Sequence, residues 1–582
     1  MVNSTWNYSP QSNDKPSQRP STPEVSSIVE TDFSNPIIRR LLEQRGVRSV
    51  QEAQEFFFPS LSDLYDPFLM PDMDKAVSRL NKAMGKKEKI MVFGDYDVDG
   101  TTAVALVYKY LLGFYSNIDY YIPTREDDGY GISKKAIDDF HEAGVSLVII
   151  LDCGIKANEE VAYARNLGID FIICDHHVPD NDLPEASAVL NPKIEGSTYP
   201  FPHLSGCGVG FKFMQGFARS NGIDEDELMG YLDLVAVSIA ADIVPITGEN
   251  RIMAYHGLKR LNTNPNMGLR AIMRICDLTG KQITISDVIF KISPRINASG
   301  RMQRGIEAVD LLVSRDFGTA LACAKAIDGY NSDRKELDKR ITEEANAIID
   351  RIAERLSARR SMVIYNKDWH KGIIGIVASR LSEFYYKPVV VLTLHNGLAT
   401  GSSRSSQGFD VYKAVEHCRE LLENFGGHSY AVGLSLREEN VQEFTKRFED
   451  YVSRHILPEQ LEPTVTVDAN IVFGDITAHF LRALKQFNPF GPGNEKPVFR
   501  THGVCDFGSS KLVGKNNEHI KLELVDETSG KVMDAIAFNQ ADKFDLVKSG
   551  NPFTICYTIE ENRHRSARPG AFQLLVSEIS PK

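Results

Sequence analysis

The chain has 582 residues, 42% of them hydrophobic and 25% charged. That balance excludes a wholly disordered, collagen-like or disulfide-stapled chain, and the length predicts about four domains. The 66 basic side chains against 78 acidic ones leave a net charge of −12, which excludes indiscriminate coating of DNA or anionic membrane but not a nucleic-acid partner met by a local basic stripe.

Residues 1–30 are rich in Ser, Pro, Asn, Gln and Thr, too poor in large apolar groups to offset their ordering entropy, and a disordered tail is expected. Helical patterning begins at Pro36-Ile37-Ile38 and opens an N-terminal helical segment over residues 31–75. A second helix is predicted over residues 74–84, where Ala76, Val77, Leu80 and Ala83 recur at helical spacing.

An α/β domain is expected over residues 76–250. The apolar run Ile90-Met91-Val92-Phe93 leads into Gly94-Asp95-Tyr96-Asp97-Val98-Asp99-Gly100 and a helix over residues 101–115. Leu147-Val148-Ile149-Ile150-Leu151 ends in Asp152-Cys153-Gly154, and Phe171-Ile172-Ile173-Cys174 ends in Asp175-His176-His177. Helices fit residues 133–143 and 158–167, and Ala188-Val189-Leu190 adds a short strand. Apolar strands alternating with amphipathic helices predict a parallel sheet covered on both faces. Residues 231–242 read as a buried helix closed by Pro245, and a helical extension follows over residues 251–317.

Residues 318–358 read as one long connector. No Pro occurs between Pro294 and Pro388, and Leu337, Ile341, Ala345, Ile348, Ile352 and Leu356 form one stripe. A coiled-coil dimer is the sharper reading, whereas a stripe this short favours a helix lying across two domains of a monomer. A second α/β domain is expected over residues 359–457. It contains the strands at Met362 and Pro388, a polar turn Gly401-Ser402-Ser403-Arg404-Ser405, and Phe425-Gly426-Gly427-His428. Over residues 458–582, strand-like runs at Thr464-Val465-Thr466-Val467, His519-Ile520-Lys521-Leu522 and Phe553-Thr554-Ile555 alternate with Gly, Pro and Asn, which predicts a small β-barrel.

Eight cysteines lie scattered without a C-x-x-C pair, so neither a zinc knuckle nor a disulfide framework is expected. There is no signal-peptide pattern and no apolar run of about 18 residues. A reduced, cytoplasmic protein with no membrane association follows.

In open parallel sheets the ligand crevice lies outside the carboxyl ends of the strands, where Asp97, Asp99, Asp152 and Asp175 with His176 and His177 should converge. One Asp after a strand is more often a cap or a turn former. Three strand-end clusters in one domain would repel one another unless a cation neutralised them. Carboxylates with imidazole and no Cys suit manganese or magnesium better than zinc, and the histidines favour manganese.

These strand-end motifs, with Ala241-Asp242-Ile243-Val244-Pro245, resemble the DHH phosphoesterase superfamily. More narrowly, from about residue 36 to the end, the chain is similar to the RecJ family of single-strand-specific 5′→3′ exonucleases. Further residues carry that resemblance: Arg45-Gly46-Val47, Asp66-Pro67, Met73-Asp74-Lys75-Ala76, the run from Ser293 to Arg301, Trp369-His370-Lys371-Gly372-Ile373-Ile374-Gly375, Gly426-Gly427-His428, and Asn488-Pro489-Phe490-Gly491-Pro492-Gly493-Asn494. The resemblance implies a DHH domain and a DHH-associated domain joined by a long helix, then an OB-like nucleic-acid-binding barrel.

It further implies two divalent ions about 3.5–4 Å apart that clamp a phosphodiester. Asp152 would bridge them, Asp97 would hold one, and Asp99, His176 and Asp242 the other. His177 would face the scissile phosphate and Asp175 would orient a histidine ring. Pyrophosphatase-type relatives carry a His where this chain has Phe93, so Asp95 or water would complete the first ion's shell. Arg125 and Arg301 look like phosphate contacts, and Ser402 and Arg404 like a pocket for a 5′-terminal phosphate. The Gly426-Gly427-His428 segment reads either as a backbone cradle for phosphate or as a tight turn. Arg295 reads as a surface ion pair. Lys511, Lys515, Lys521, Arg563, Arg565 and Arg568 would line a single-strand groove or form a solvated rim.

The implied partners are single-stranded DNA, a single-strand-binding protein and a helicase. A DHH-type phosphodiesterase acting on cyclic dinucleotides or short RNA is the alternative, and a scaffold that has lost its metal ligands is a third class. The barrel and connector favour the exonuclease over the former, and the complete acidic set argues against the latter.

Overall fold

A computed structural model describes residues 23–124, 131–302, 305–351, 359–405, 408–562 and 571–582. Arg125, Ile352, Leu356, Arg563, Arg565 and Arg568 lie outside the described residues. Two compact units emerge. Among the described residues, one joins those of 60–467 with 488–498, and the other joins those of 23–59, 468–487 and 499–582.

In the first unit, β1 (Lys89–Gly94), β2 (Ile118–Tyr121), β3 (Val145–Leu151), β4 (Asp170–Cys174) and β5 (Ala188–Leu190) form a sheet in the order β2-β1-β3-β4-β5, parallel at every pairing. Alternate side chains enter different cores. Ile90, Val92, Leu147, Ile149 and Leu151 pack on one face, and Met91, Phe93, Val148, Ile150 and Phe171 on the other. Helices cover both faces, which is why these strands read as unbroken apolar runs. The chain leaves β1 for β2 on one side and returns to β3 on the other, so the strand order reverses beside the carboxyl ends of β1 and β3.

Three helices aim at that edge: α1 (Val98–Leu112), α2 (Gly206–Ser220) and α3 (Leu232–Ala241). The sequence predicts α1 from residue 101. It starts three residues earlier because the Asp97 side chain caps it, accepting from the Gly100 N–H at 3.0 Å. A Cβ at Gly100 would come within 2.3 Å of the Asp95 carbonyl oxygen, so only glycine permits that tight entry. Beyond α3, Ile246 N–H donates to the Pro492 carbonyl at 2.7 Å and the Arg251 guanidinium donates to the Asn488 carbonyl at 3.2 Å. Residues 488–498, expected at the barrel's entry, therefore brace the loop after Asp242.

The helix α4 (Ser293–Met302) precedes α5 (Phe317–Arg351). Ala320, Ala324 and Ile327 of α5 pack in the first core, while Ile341, Ala345 and Ile349 pack with Met362, Trp369 and Ile373. The helix thus spans two cores, and the described stripe residues Leu337, Ile341, Ala345 and Ile348 all pack in the second of them, Ile349 being buried beside them. The second sheet, β6 (Met362–Tyr365), β7 (Val389–His395), β8 (Leu398–Arg404), β9 (Leu422–His428) and β10 (Ala431–Leu436), has the mixed order β6-β7-β8-β10-β9. The helix α6 (Lys371–Tyr385) packs on it. Residues 401–404, read from sequence as part of a turn, are strand β8. They pair with β7 on one side and β10 on the other, so a polar Gly-Ser run lies inside a sheet. A Cβ at Gly401 would come within 2.3 Å of Leu392, which explains the glycine. Gly426-Gly427-His428 ends the edge strand β9 and is not a tight turn between helix and strand.

In the second unit, β12 (Phe499–Asp506), β14 (His519–Asp526), β15 (Val532–Ala537), β16 (Phe553–Glu561) and β17 (Phe572–Pro581) close into a five-stranded barrel through the β12–β14 pairing. The pair β11 (Ala469–Asn470) and β13 (Lys511–Val513) extend it. Thr464–Val467, expected as a strand, has no ladder partner, and β11 begins only at Ala469. Residues 23–30, expected to be disordered, open a helix, Pro23–Ser34, whose Val29 is fully buried. Asp32 of that helix meets His479 at 3.0 Å and Gln486 at 3.1 Å. The rings of Phe56 and Phe57 meet Phe487 edge-on. The N-terminal helices thus complete the barrel unit through partners more than 400 residues away, which no local pattern announces.

Candidate metal centre

The carboxyl ends of β1, β3 and β4 deliver Asp95 and Asp97, Asp152, and Asp175-His176-His177 to one place. Asp99 comes from the first turn of α1 and Asp242 from the end of α3. Ligand-capable atoms of Asp95, Asp97 and Asp152 lie within 4.8 Å of one another, as do those of Asp99, His176 and Asp242. His176 joins the two groups, its Nε2 standing 3.1 Å from Asp152, 3.5 Å from Asp242 and 3.8 Å from Asp99.

The carboxylates are aimed by backbone. Asp99 accepts from the N–H groups of Gly206 at 2.7 Å and Cys207 at 2.8 Å, and from the Ser238 hydroxyl at 2.6 Å. The start of α2 therefore serves as an anion holder for Asp99. Asp152 sits in the left-handed region at φ 60°, a conformation Asp tolerates better than most residues. A Cβ at Gly206 would stand 2.6 Å from the Asp152 carboxylate oxygen, so this glycine makes room for Asp152. Asp175 accepts from Ile155 N–H at 2.9 Å, His176 N–H at 2.7 Å and His177 Nδ1–H at 2.8 Å.

Burial and then repulsion from Asp99 raise the Asp97 pKa, and the same pair of causes puts Asp152 well above the ordinary carboxylate range. Burial, with Asp99 and Asp97, pushes Asp242 up to about 8. Burial lowers His176 to about 4. Asp175 differs: burial opposes its ionisation, but the bonds from His177 outweigh it and bring its pKa down to about 2. Burial opposes charge on His177, yet the Asp175 hydrogen bond raises its pKa overall. Asp175 and His177 thus favour each other's charged forms and hold one orientation, whereas Asp97, Asp152 and Asp242 are destabilised as anions in the absence of a cation. Neither ring nitrogen of buried His176 makes a hydrogen bond among the described residues. An oxygen-rich donor set with an imidazole short of partners fits a hard divalent cation such as manganese or magnesium.

The His428 ring lies parallel to His177, with centroids 6.1 Å apart and planes at 11°. The His428 side chain thus lies beside the centre. Ser402 and Arg404 form a second cluster. Arg404 donates to Ser402 at 2.5 Å and to Ser379 at 3.0 Å. A Cβ at Gly375 would lie 3.3 Å from both Ser402 and Arg404, so α6 rests on the pair close to its start. The backbone amides of β8 face paired strands on both sides, so they are not free to surround a phosphate. The groups left for that task are the Arg404 guanidinium, the hydroxyls and the start of α6. Arg301 donates to the Gly372 carbonyl at 3.1 Å and stands beside the same turn. Arg295 pairs with Asp328 at 2.8 Å, the structural role expected for it. On the barrel, Lys511 and Lys521 lie directly opposite on β13 and β14.

Sequence reasoning misses Gly206, Ser238, Ser379, Asn191 and Lys193. Asn191 donates to the His177 carbonyl at 2.9 Å. Burial lowers the Lys193 pKa against the pull of Asp242 and Asp175. A Ser inside the otherwise apolar helix α3 is the one local signal for Ser238.

Residues 89–239 match the DHH family, N-terminal domain, residues 358–454 the DHHA1 domain and residues 467–576 the RecJ OB domain. The chain is 34% identical over 566 residues to the single-stranded-DNA-specific exonuclease RecJ of Bacillus subtilis, covering 97% of this chain and 70% of that protein. It is 32% identical to RecJ of Escherichia coli, covering 94% and 96%. The RecJ of Thermus thermophilus, solved with Mn²⁺, superposes with a TM-score of 0.80 at 23% identity, over 97% of this chain and 78% of that one. An exonuclease RecJ bound to manganese superposes at 0.59 with 28% identity, over 70% and 99%.

Proposed function

The chain belongs to the RecJ family of single-stranded-DNA-specific exonucleases, and from that premise we propose that it removes nucleotides from the 5′ end of single strands by two-ion hydrolysis at the centre between β1, β3 and β4. The observation that carries the proposal is the set of three overlapping three-residue groups, Asp95-Asp97-Asp152, Asp152-His176-His177 and Asp99-His176-Asp242, linked through Asp152 and His176. Asp95, Asp97 and Asp152 would hold one ion, and Asp99, His176 and Asp242 with the shared Asp152 the other, manganese being favoured and magnesium acceptable. Such ions supply charge neutralisation and polarisation of the phosphodiester and its attacking water.

The chain's own groups do the rest. Asp175 keeps the proton on His177 Nδ1 and holds the ring in one orientation, so that His177 presents its other nitrogen to the phosphate and stabilises developing charge. His428, stacked alongside, limits the ring's freedom. Arg404, Ser402 and the start of α6 form the pocket for a 5′-terminal phosphate, with Arg301 beside it. The barrel and the helix α5 favour this reading over a phosphodiesterase built from the α/β domains alone. Burial of the α5 stripe at Ile341 and Ala345 supports a monomer. No described helix is long and apolar enough to cross a membrane. A cytoplasmic site of action, with a helicase and a single-strand-binding protein as companions, belongs to the same proposal.

Digestion of single strands labelled at one end or the other, with manganese present, tests it. The 5′ label should be released first and blunt duplex should resist. Digestion that starts at the 3′ end, or equal cutting of blunt duplex, would overturn the reading.

A further inference from the structure

Two adjoining cavities open at the ends of α1 and α3 remote from the metal centre. One, of about 220 Å³, is lined by Lys109, Glu227, Gly230, Tyr231, Arg260 and Asn266. The other, of about 290 Å³, is lined by Tyr108, Lys109, Leu112, Gly113, Val313 and Arg315. Lys109 stands in both. It lies in the last turn of α1, ten residues beyond Asp99, or roughly 15 Å along the helix axis. A ligand here would not touch the metal centre.

Three cations line them, with Asp233 and Glu227 as the acids nearby. Lys109 donates to the Leu312 carbonyl at 3.3 Å. Arg260 Nε lies 3.9 Å from Asp233 and makes no hydrogen bond among the described residues. Arg315 is exposed and has neither a hydrogen bond nor an ion pair among the described residues. Asp233 is occupied, accepting from the N–H groups of Leu234 at 2.9 Å and Asn266 at 2.6 Å. Glu227 is the one acid in either lining. Burial, partly offset by Asp233, and the Arg260 and Arg315 guanidiniums lower the Lys109 pKa. The N-terminus of α3 opens on the first cavity at Tyr231, but Asp233 in its first turn accepts from the Leu234 N–H and offsets its positive end, so an anion here would be met by the side chains.

We propose that these two cavities, which share Lys109, together bind a nucleoside diphosphate, with the phosphates on Lys109, Arg260 and Arg315 and the base against the apolar wall of Tyr108, Leu112 and Val313. Arginine forks and an ammonium suit a polyanion. Ligand pockets combine such polar groups with apolar walls in volumes of roughly 300–1,000 Å³, a range the two cavities reach only together. The site does not depend on the exonuclease reading.

The test is calorimetric titration of the full chain with ADP and with pyrophosphate, in EDTA so that the metal centre holds no cation to attract phosphate. ADP should bind, and at least tenfold more tightly than pyrophosphate. Arg315→Ala, an exposed change without lost partners, and Lys109→Gln should each weaken ADP about tenfold or more, while Asp152→Ala should leave it unchanged. Absence of ADP binding at millimolar concentration would overturn the proposal. So would equal binding of pyrophosphate, loss of binding in Asp152→Ala, or undiminished binding in Arg315→Ala.

Discussion

Gly206→Ala places one methyl group where the centre has no room for it. The added Cβ would stand 2.6 Å from both the Cβ and a carboxylate oxygen of Asp152, and 2.8 Å from its Cγ. Ordinary contact lies near 3.5 Å, so Asp152 or the start of α2 must give way by about 1 Å. Asp152 is already held at φ 60°, which leaves it little freedom to retreat. Movement of α2 instead would stretch the 2.7 Å bond from the Gly206 N–H to Asp99. Either response displaces a carboxylate on which the two-ion geometry depends, and a misplacement of about 1 Å costs on the order of 100-fold in rate. The stability cost should be that of overpacking, about 1–3 kcal/mol. The expected result is a kcat on 5′-phosphorylated single strands lower by about 100-fold, with strand affinity little changed. Gly208→Ala is the paired control. Its Cβ would meet Ser205 Oγ at 3.3 Å and Leu204 at 3.6 Å, contacts that small shifts relieve, and its activity should stay within a few-fold of the parent. Steady-state digestion with manganese, alongside thermal unfolding of both variants, measures this. Full activity in Gly206→Ala, or an equal loss in Gly208→Ala, would refute the reasoning.

Asp152→Ala should abolish hydrolysis yet leave single-strand binding nearly intact, because strand affinity comes from many phosphate contacts elsewhere; a gel-shift and digestion pair reads both. Arg404→Ala should cost more on 5′-phosphate ends than on 5′-hydroxyl ends, and an equal loss on both would remove Arg404 from end recognition. The metal-free protein should lose stability as pH rises from about 6.5 to about 8.5. Asp242, with a folded pKa of about 8, and Asp152, raised well above its ordinary value, bind protons in the fold that the unfolded chain has already released, so their penalty grows with pH for as long as the fold keeps those protons and levels off once they ionise. Asp175, at about 2, is ionised throughout it. Manganese should restore more of the melting temperature at the upper end of that window than at the lower, and a melting temperature flat with pH in EDTA would contradict the assignment.

The sequence alone determined the strands and the chemistry at their ends. A strand buried on both faces must be apolar throughout, so Ile90 to Phe93, Leu147 to Leu151 and Phe171 to Cys174 announce themselves, and so do the carboxylates and histidines that follow them. The stripe of α5 was equally legible, because helical spacing is local. What tertiary structure decided lies wherever a residue's meaning depends on a distant partner. Gly206 is a helix-start glycine until Asp152 is set against it, and Ser238 is one polar residue in an apolar helix until Asp99 reaches it. Residues 401–404 have a turn's composition, yet β7 and β10 claim their backbone and make them a strand. The helix Pro23–Ser34 rises from a polar tail because Val29 is buried and Asp32 meets His479. Local patterning reports which face of an element is apolar, whereas only the folded chain reports what that face, or a lone polar atom on it, is set against.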